Sequence, residues 1–233
     1  MTVPDTVPHS GPDKAYVDKT TQYFAGVRED FLDLLPRGSG IRALEIGCGF
    51  GETGRAALQR GLCSEYVGVE LFAEAAATAR ESLSEVLTGD VERLDLPWPV
   101  GHFDALLMSE VLEHLVDPWS VVSRVVPLVR EGGLIVASSP NVAQISVIRD
   151  LLAGRWELTN VGLMDRTHLR WFTPTSYRAM FEEVGVQIES VTPMGPAGLR
   201  GRLFNLLTAR RYSYLTVRQI RVVGRAPALS GKP

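Results

Sequence analysis

Three glycines in five residues, set directly behind an apolar run that carries a carboxylate, constrain this chain more than any other feature. In residues 41–54, IRALEIGCGFGETG, the side chains of Ile41, Ala43, Leu44 and Ile46 read as a buried strand. Gly47, Gly49 and Gly51 let the backbone turn sharply, and residues 52–60 read as the following helix. A strand, a glycine turn and a helix in that order form a loop suited to a nucleotide-containing cofactor. The plain alternative is a glycine turn without a ligand.

Two cofactor classes compete for this loop. Gly49-x-Gly51-x-x-Gly54 also fits the dinucleotide fingerprint, and Glu70 follows about twenty residues later, as that fingerprint requires. Charge separates the two. A diphosphate seeks bare amides at a helix start, and Glu45 just before the glycines repels it. A sulfonium with an ammonium group favours a carboxylate there. The stretch resembles the first motif of class I S-adenosylmethionine-dependent methyltransferases, an acidic residue followed by G-x-G-x-G, and the likeness runs over about residues 41–226. It implies that Glu45, Gly47, Cys48, Gly49 and Gly51 cradle S-adenosylmethionine.

At 233 residues, 45% of them hydrophobic, the chain is large enough for one sizeable core. A net charge of -3 gives no general reason to expect nucleic acid as partner. Two cysteines, one inside the glycine loop, argue against a disulfide framework and for a reducing cytoplasm. No apolar run approaches the roughly 20 residues of a membrane span, and MTVPDTVPHSGPDK lacks the apolar centre of a signal peptide. A soluble, cytoplasmic protein is the expectation, with its oligomeric state left open.

Residues 1–13, rich in Pro, Ser and Asp, read as a disordered tail, and residues 14–40 as a helical cap. Within the cap, apolar side chains at near-helical spacing over 15–35 suit either an edge-covering helix or a lid. The main domain is expected over 41–226 as a doubly wound α/β fold, a mostly parallel seven-stranded sheet whose last strand is antiparallel. Residues 227–233 form a short tail. A second strand, 66–70, ends on Glu70, and helix and strand follow at 72–83 and 86–88. Ligands bind at the carboxyl ends of parallel strands, which places Glu70, with Leu71 beside it, at the ribose; the family likeness implies Asp90 and Val91 at the adenine, and Ser109 and Glu110 at the end of the fourth strand, 103–108. A dipole-complementing acid is the other reading of Glu70, and an ordinary turn residue that of Asp90. Beyond lie a helix over 118–129 capped by Asp117 and ended by Gly132-Gly133, a strand over 134–138, and an insertion over 140–172 with a helix at 142–152. A helix over 174–184 and strands over 186–191 and 215–223 complete the pattern.

Glu110, Glu113 and His114 of SEVLEHL are spaced so that a helix would project all three from one face, and His168 arrives from the insertion. Two carboxylates and two imidazoles can hold Mg2+ or another divalent cation. The pattern is similar to the metal site of small-RNA 2′-O-methyltransferases and to an element of ubiquinone-pathway O-methyltransferases, which implies Glu110, Glu113, His114 and His168 as ligands. Without metal, His168 or His114 is the general base. The plainer reading keeps the two acids at a helix start and His114 as a pocket wall.

DRTHLRWFT, residues 165–173, resembles a methyltransferase branch of polysaccharide and glycan biosynthesis, which implies a small-molecule or glycan acceptor with a sugar hydroxyl. Arg166 and Arg170 suit a substrate phosphate or a salt-bridge pair with Asp165. Between Leu199 and Arg225 every charged residue is arginine, a pattern for an anionic membrane surface or for a solvated face. The expected activity is O-methylation of a sugar hydroxyl. RNA 2′-O-methylation, quinone or small-phenol methylation, and a noncatalytic cofactor-binding partner are its rivals.

Overall fold

The computed structural model describes residues 26–194 and 199–228, so the expected tail at 1–13 and most of the cap before Gly26 lie outside the described residues. Of the cap, one short helix is described, α1 (Glu29–Leu32), with Phe31 and Leu32 in the core. Then come β1 (Arg42–Ile46), α2 (Glu52–Gln59), β2 (Glu65–Glu70), α3 (Ala73–Ala79) and β3 (Glu85–Thr88). After them follow β4 (Phe103–Ser109), α4 (Pro118–Val125), β5 (Val129–Pro140), α5 (Ile145–Leu152), α6 (Pro174–Glu182), β6 (Gln187–Met194), α7 (Leu199–Leu207) and β7 (Gln219–Arg225).

The strands form one seven-stranded sheet in the order β3-β2-β1-β4-β5-β7-β6. β1 to β5 pair in parallel, and β7 runs antiparallel to both β5 and β6, as expected from the sequence. The pleat sends alternate side chains to opposite faces. Leu44 and Ile46 of β1 join a core with Val121, Val125, Tyr177 and Phe181 from α4 and α6. Ala43 joins the other core with Phe31, Ala57, Tyr66 and Ala76. Both faces of the sheet are thus covered, and ligand chemistry is left to the carboxyl ends of the strands.

Gly54 shows why α2 lies so close to the sheet. A Cβ there would come within 2.4 Å of both Tyr66 and Leu83, so only glycine permits the approach. The helix after Asp117 is shorter than its apolar pattern predicts. Asp117 caps it through the Ser120 amide at 3.1 Å, but it stops at Val125, and a 3-10 turn follows at Val126–Leu128. Pro127 explains this, since it has no amide to continue the ladder. Gly132 and Gly133 lie inside β5, not at a helix end. The last strand starts at Gln219 because residues 213–216 close into a 3-10 turn, with the Thr216 hydroxyl donating to the Ser213 carbonyl at 2.7 Å.

Candidate functional site

At the carboxyl ends of β1, β2 and β4 opens a cavity of about 1020 Å³. Its lining includes Glu45, Gly47, Cys48, Gly49, Glu70 and Leu71 from the first two strand ends. Asp90, Val91, Ser109 and Glu110 line it further along, together with Glu113, His114 and His168. Every residue chosen from the sequence reaches this one space except Gly51. Gly51 instead caps α2 at φ 77°, its missing Cβ facing Ala79 at 3.0 Å.

The glycine loop is shaped by its neighbours. The amides of Gly47 and Cys48 both donate to the Val69 carbonyl, at 2.8 and 3.2 Å, folding the loop over the end of β2. Gly47 has φ 74°, and a Cβ on it would press on Val111 at 3.1 Å. Glu70 ties this loop to the next one. One carboxylate oxygen accepts from the Gly49 amide at 2.8 Å and the other from the Phe72 amide at 2.9 Å. Asp90 serves as both turn residue and cavity wall: it accepts from the Glu92 amide at 2.9 Å and sits 3.5 Å from Arg93.

Electrostatics favours a cationic ligand. Eight carboxylates line the cavity against two arginines, Arg28 and Arg218. Glu45 is buried beneath the glycine loop and accepts from the Tyr66 hydroxyl at 2.9 Å. Burial lifts its carboxyl to about 7 despite that hydrogen bond. Burial likewise raises Glu70 and Glu110. A cation entering this cavity would relieve the cost of ionising these acids, whereas a diphosphate would add to it.

Arg28 is the functional candidate that the sequence reading missed. It stands just before α1, donates to Ser109 and, at 3.0 Å, to Ser138, and is paired with Asp30 at 2.9 Å. Arg221 supports the same Asp30 at 3.0 Å. No local pattern marks Arg28, because its partners Ser109 and Ser138 lie on β4 and β5, far along the chain.

Glu110 stands apart from the cluster formed by Glu113, His114 and His168. SEVLEHL does not form a regular helix. Glu110 takes φ 51°, and only Leu112–His114 form a 3-10 turn. Glu110 therefore turns away to lie against Ser138 and Gln219. Glu113, His114 and His168 do come together, with ligand atoms all within 4.8 Å of one another. The insertion is docked there by its backbone: the Leu169 and Arg170 amides donate to the Glu113 carbonyl at 2.8 and 3.0 Å.

Some other side chains of the DRTHLRWFT element contact the protein itself. Arg170 donates to the Val116 carbonyl at 3.0 Å through Nε, and Asp165 accepts from the Thr167 amide at 2.9 Å. Trp171 packs on Trp156 edge to face, ring centroids 5.3 Å apart.

Comparison with known proteins bears on the family and the fold. A family model described as "Methyltransferase domain" matches residues 19–191. The ubiquinone biosynthesis O-methyltransferase of Chromobacterium violaceum is 27% identical over 175 residues, covering 72% of this chain and 74% of the relative. That of Bordetella avium is 27% identical over 174 residues, with 72% and 68% covered. Among solved structures, an S-adenosylmethionine dependent methyltransferase from Mesorhizobium loti aligns with TM-score 0.61 at 18% identity, over 90% of this chain and 99% of that one. The [4+2]-cyclase SpnF aligns with TM-score 0.59 at 14% identity, over 96% and 86%. At these identities the structural likeness speaks to fold alone.

Proposed function

The chain belongs to the methyltransferase-domain family and is an S-adenosylmethionine-dependent methyltransferase, and from that premise we propose that its acceptor is a hydroxyl of a small phenol or quinol. The names of the curated relatives support this acceptor over the sugar hydroxyl suggested by residues 165–173. One observation carries the oxygen chemistry: two imidazoles and a carboxylate meet in the same cavity as the acidic glycine loop.

S-adenosylmethionine supplies an electrophilic methyl on a sulfonium. Glu45 and the other lining acids favour its positive charge, Glu70 offers carboxylate oxygens to ribose hydroxyls, and Arg28, one of the two arginines lining the cavity, is the cation we assign to its carboxylate. On the acceptor side, His114 Nδ1 lies 3.1 Å from the Thr167 carbonyl and His168 Nδ1 lies 3.1 Å from the Leu163 carbonyl. A carbonyl only accepts, so a neutral ring held this way carries its proton on Nδ1 and has Nε2 as its basic nitrogen. One Nε2 takes the hydroxyl proton while the acceptor oxygen bonds to the methyl carbon and the electron pair of the breaking bond returns to sulfur.

The same three residues suit a divalent cation. Two imidazoles and one carboxylate, with each ring oriented through Nδ1, match a transition metal better than Mg2+. Such an ion would lower the pKa of the acceptor hydroxyl. Glu110 is no part of this set.

Labelled S-adenosylmethionine offered with catechols, quinols, nucleotide sugars, glycolipids and short RNAs, with and without EDTA, tests the reading. Transfer to the phenolic acceptors is expected. Transfer confined to sugars or RNA would overturn the acceptor, and loss of transfer with EDTA would assign the cation.

A further inference from the structure

α7 presents an apolar stripe that nothing in the described structure covers. Leu199, Leu203, Leu206 and Leu207 are 85%, 57%, 76% and 77% exposed. Their spacing of i, i+4, i+7 and i+8 gathers them on one face of the helix. Asn205 lies on the opposite side and donates to the Thr216 hydroxyl at 3.2 Å, so the helix is held to the protein by its other face. A run of four leucines at such exposure on one short helix is unusual for a surface bathed in water.

The charge around the stripe has a single sign. From Leu199 to Arg225 the sequence has seven arginines and no acid or lysine. Arg221 and Arg225 are engaged with Asp30 and Glu189 at 3.0 and 2.8 Å. Arg202, Arg210 and Arg211 have no ion pair among the described residues and neighbour the leucines in sequence, Arg211 lying over the Tyr212 ring. α5 also exposes leucines, but its Asp150 is paired with Arg155, so it lacks this bias.

We propose that α7 and the turn after it form a docking surface for an anionic lipid bilayer, with the leucines entering the acyl boundary and the arginines meeting headgroup phosphates. Leucines facing outward with unpaired arginines at their rim are the combination an anionic interface binds: apolar burial supplies depth, and charge supplies attraction. The surface also has a place relative to the site. Thr216, which anchors α7, lines the cavity together with Arg218. A docked enzyme would therefore hold the mouth of its cavity next to the membrane. This inference is independent of the acceptor reading, because lipid binding is measured without turnover.

The test is sedimentation of the full chain with vesicles of phosphatidylcholine containing phosphatidylglycerol, against vesicles of phosphatidylcholine alone. Binding to the anionic vesicles is expected, weakening as salt screens the arginines. Leu206→Glu with Leu207→Glu, and separately Arg210→Glu with Arg211→Glu, should each lower the bound fraction about tenfold, with the melting temperature and S-adenosylmethionine affinity unchanged. The charge reversal keeps the test decisive if the leucine variant fails to fold. Wild-type protein left in the supernatant, or a charge-reversal variant that sediments like wild type, would overturn the proposal. So would a wild-type dimer, seen by light scattering, that the leucine variant converts to monomer without any vesicle binding, since the stripe would then be an interface between copies.

Discussion

The imidazoles of His114 and His168 meet edge to face, ring centroids 4.8 Å apart and inclined at 65°. Backbone carbonyls of the insertion orient both rings, Thr167 for the first and Leu163 for the second. Replacing His168 with Ala should lower kcat by about 10²- to 10⁴-fold, the usual weight of a positioned general base. S-adenosylmethionine affinity, measured by calorimetry, should stay within about twofold, because the ring lies on the acceptor side of the cavity. An unchanged kcat would remove His168 from the reaction.

Arg28 joins α1 to the ends of β4 and β5 through Ser109 and Ser138. Arg28→Ala should weaken cofactor binding by about 1.5–3 kcal/mol, the range for a hydrogen bond to a charged group. S-adenosylhomocysteine keeps the amino-acid carboxylate and should lose as much, while adenosine, which lacks it, should bind both proteins alike. Equal losses for adenosine would show that Arg28 only shapes the pocket.

Glu45 gives the protein a defined pH dependence. Its carboxyl titrates at about 7 in the fold and near 4.5 when exposed. The unfolded chain therefore releases this proton first as pH rises, so stability falls between about pH 4.5 and 7, and the full loss, roughly 3 kcal/mol, is present above that window. Glu45→Gln should be more stable than wild type at pH 8 and nearly equal to it at pH 5, as read by urea denaturation. The same variant should bind S-adenosylmethionine more weakly at pH 8, where wild type presents the charge. A stability gap that does not change between the two pH values would refute the assignment.

Gly54 lies against Tyr66 and Leu83 with no room for a methyl group. Gly54→Ala should destabilise the fold by about 1–3 kcal/mol through overpacking, despite the better helix propensity of alanine. A thermal melt checks this directly, and an unchanged melting temperature would mean that α2 can shift outward.

The sequence by itself determined the alternation of strands and helices and the glycine loop with its flanking acids, because periodicity, glycine placement and acid placement are local properties. Glu45, Glu70 and Asp90 were legible for that reason, each standing at or just beyond a strand end. The acceptor side was legible only in part. The spacing of Glu110, Glu113 and His114 pointed to a helix, yet the backbone turns at Glu110 and sends its carboxylate toward Ser138. Only the tertiary structure decided that Glu113 and His114 meet His168, because hydrogen bonds from Leu169 and Arg170 to the Glu113 carbonyl dock the insertion there. It alone also brought Arg28 into the cavity, through partners on two distant strands. Contacts between residues far apart in the chain depend on where the sheet brings strand ends together, and no local pattern records that.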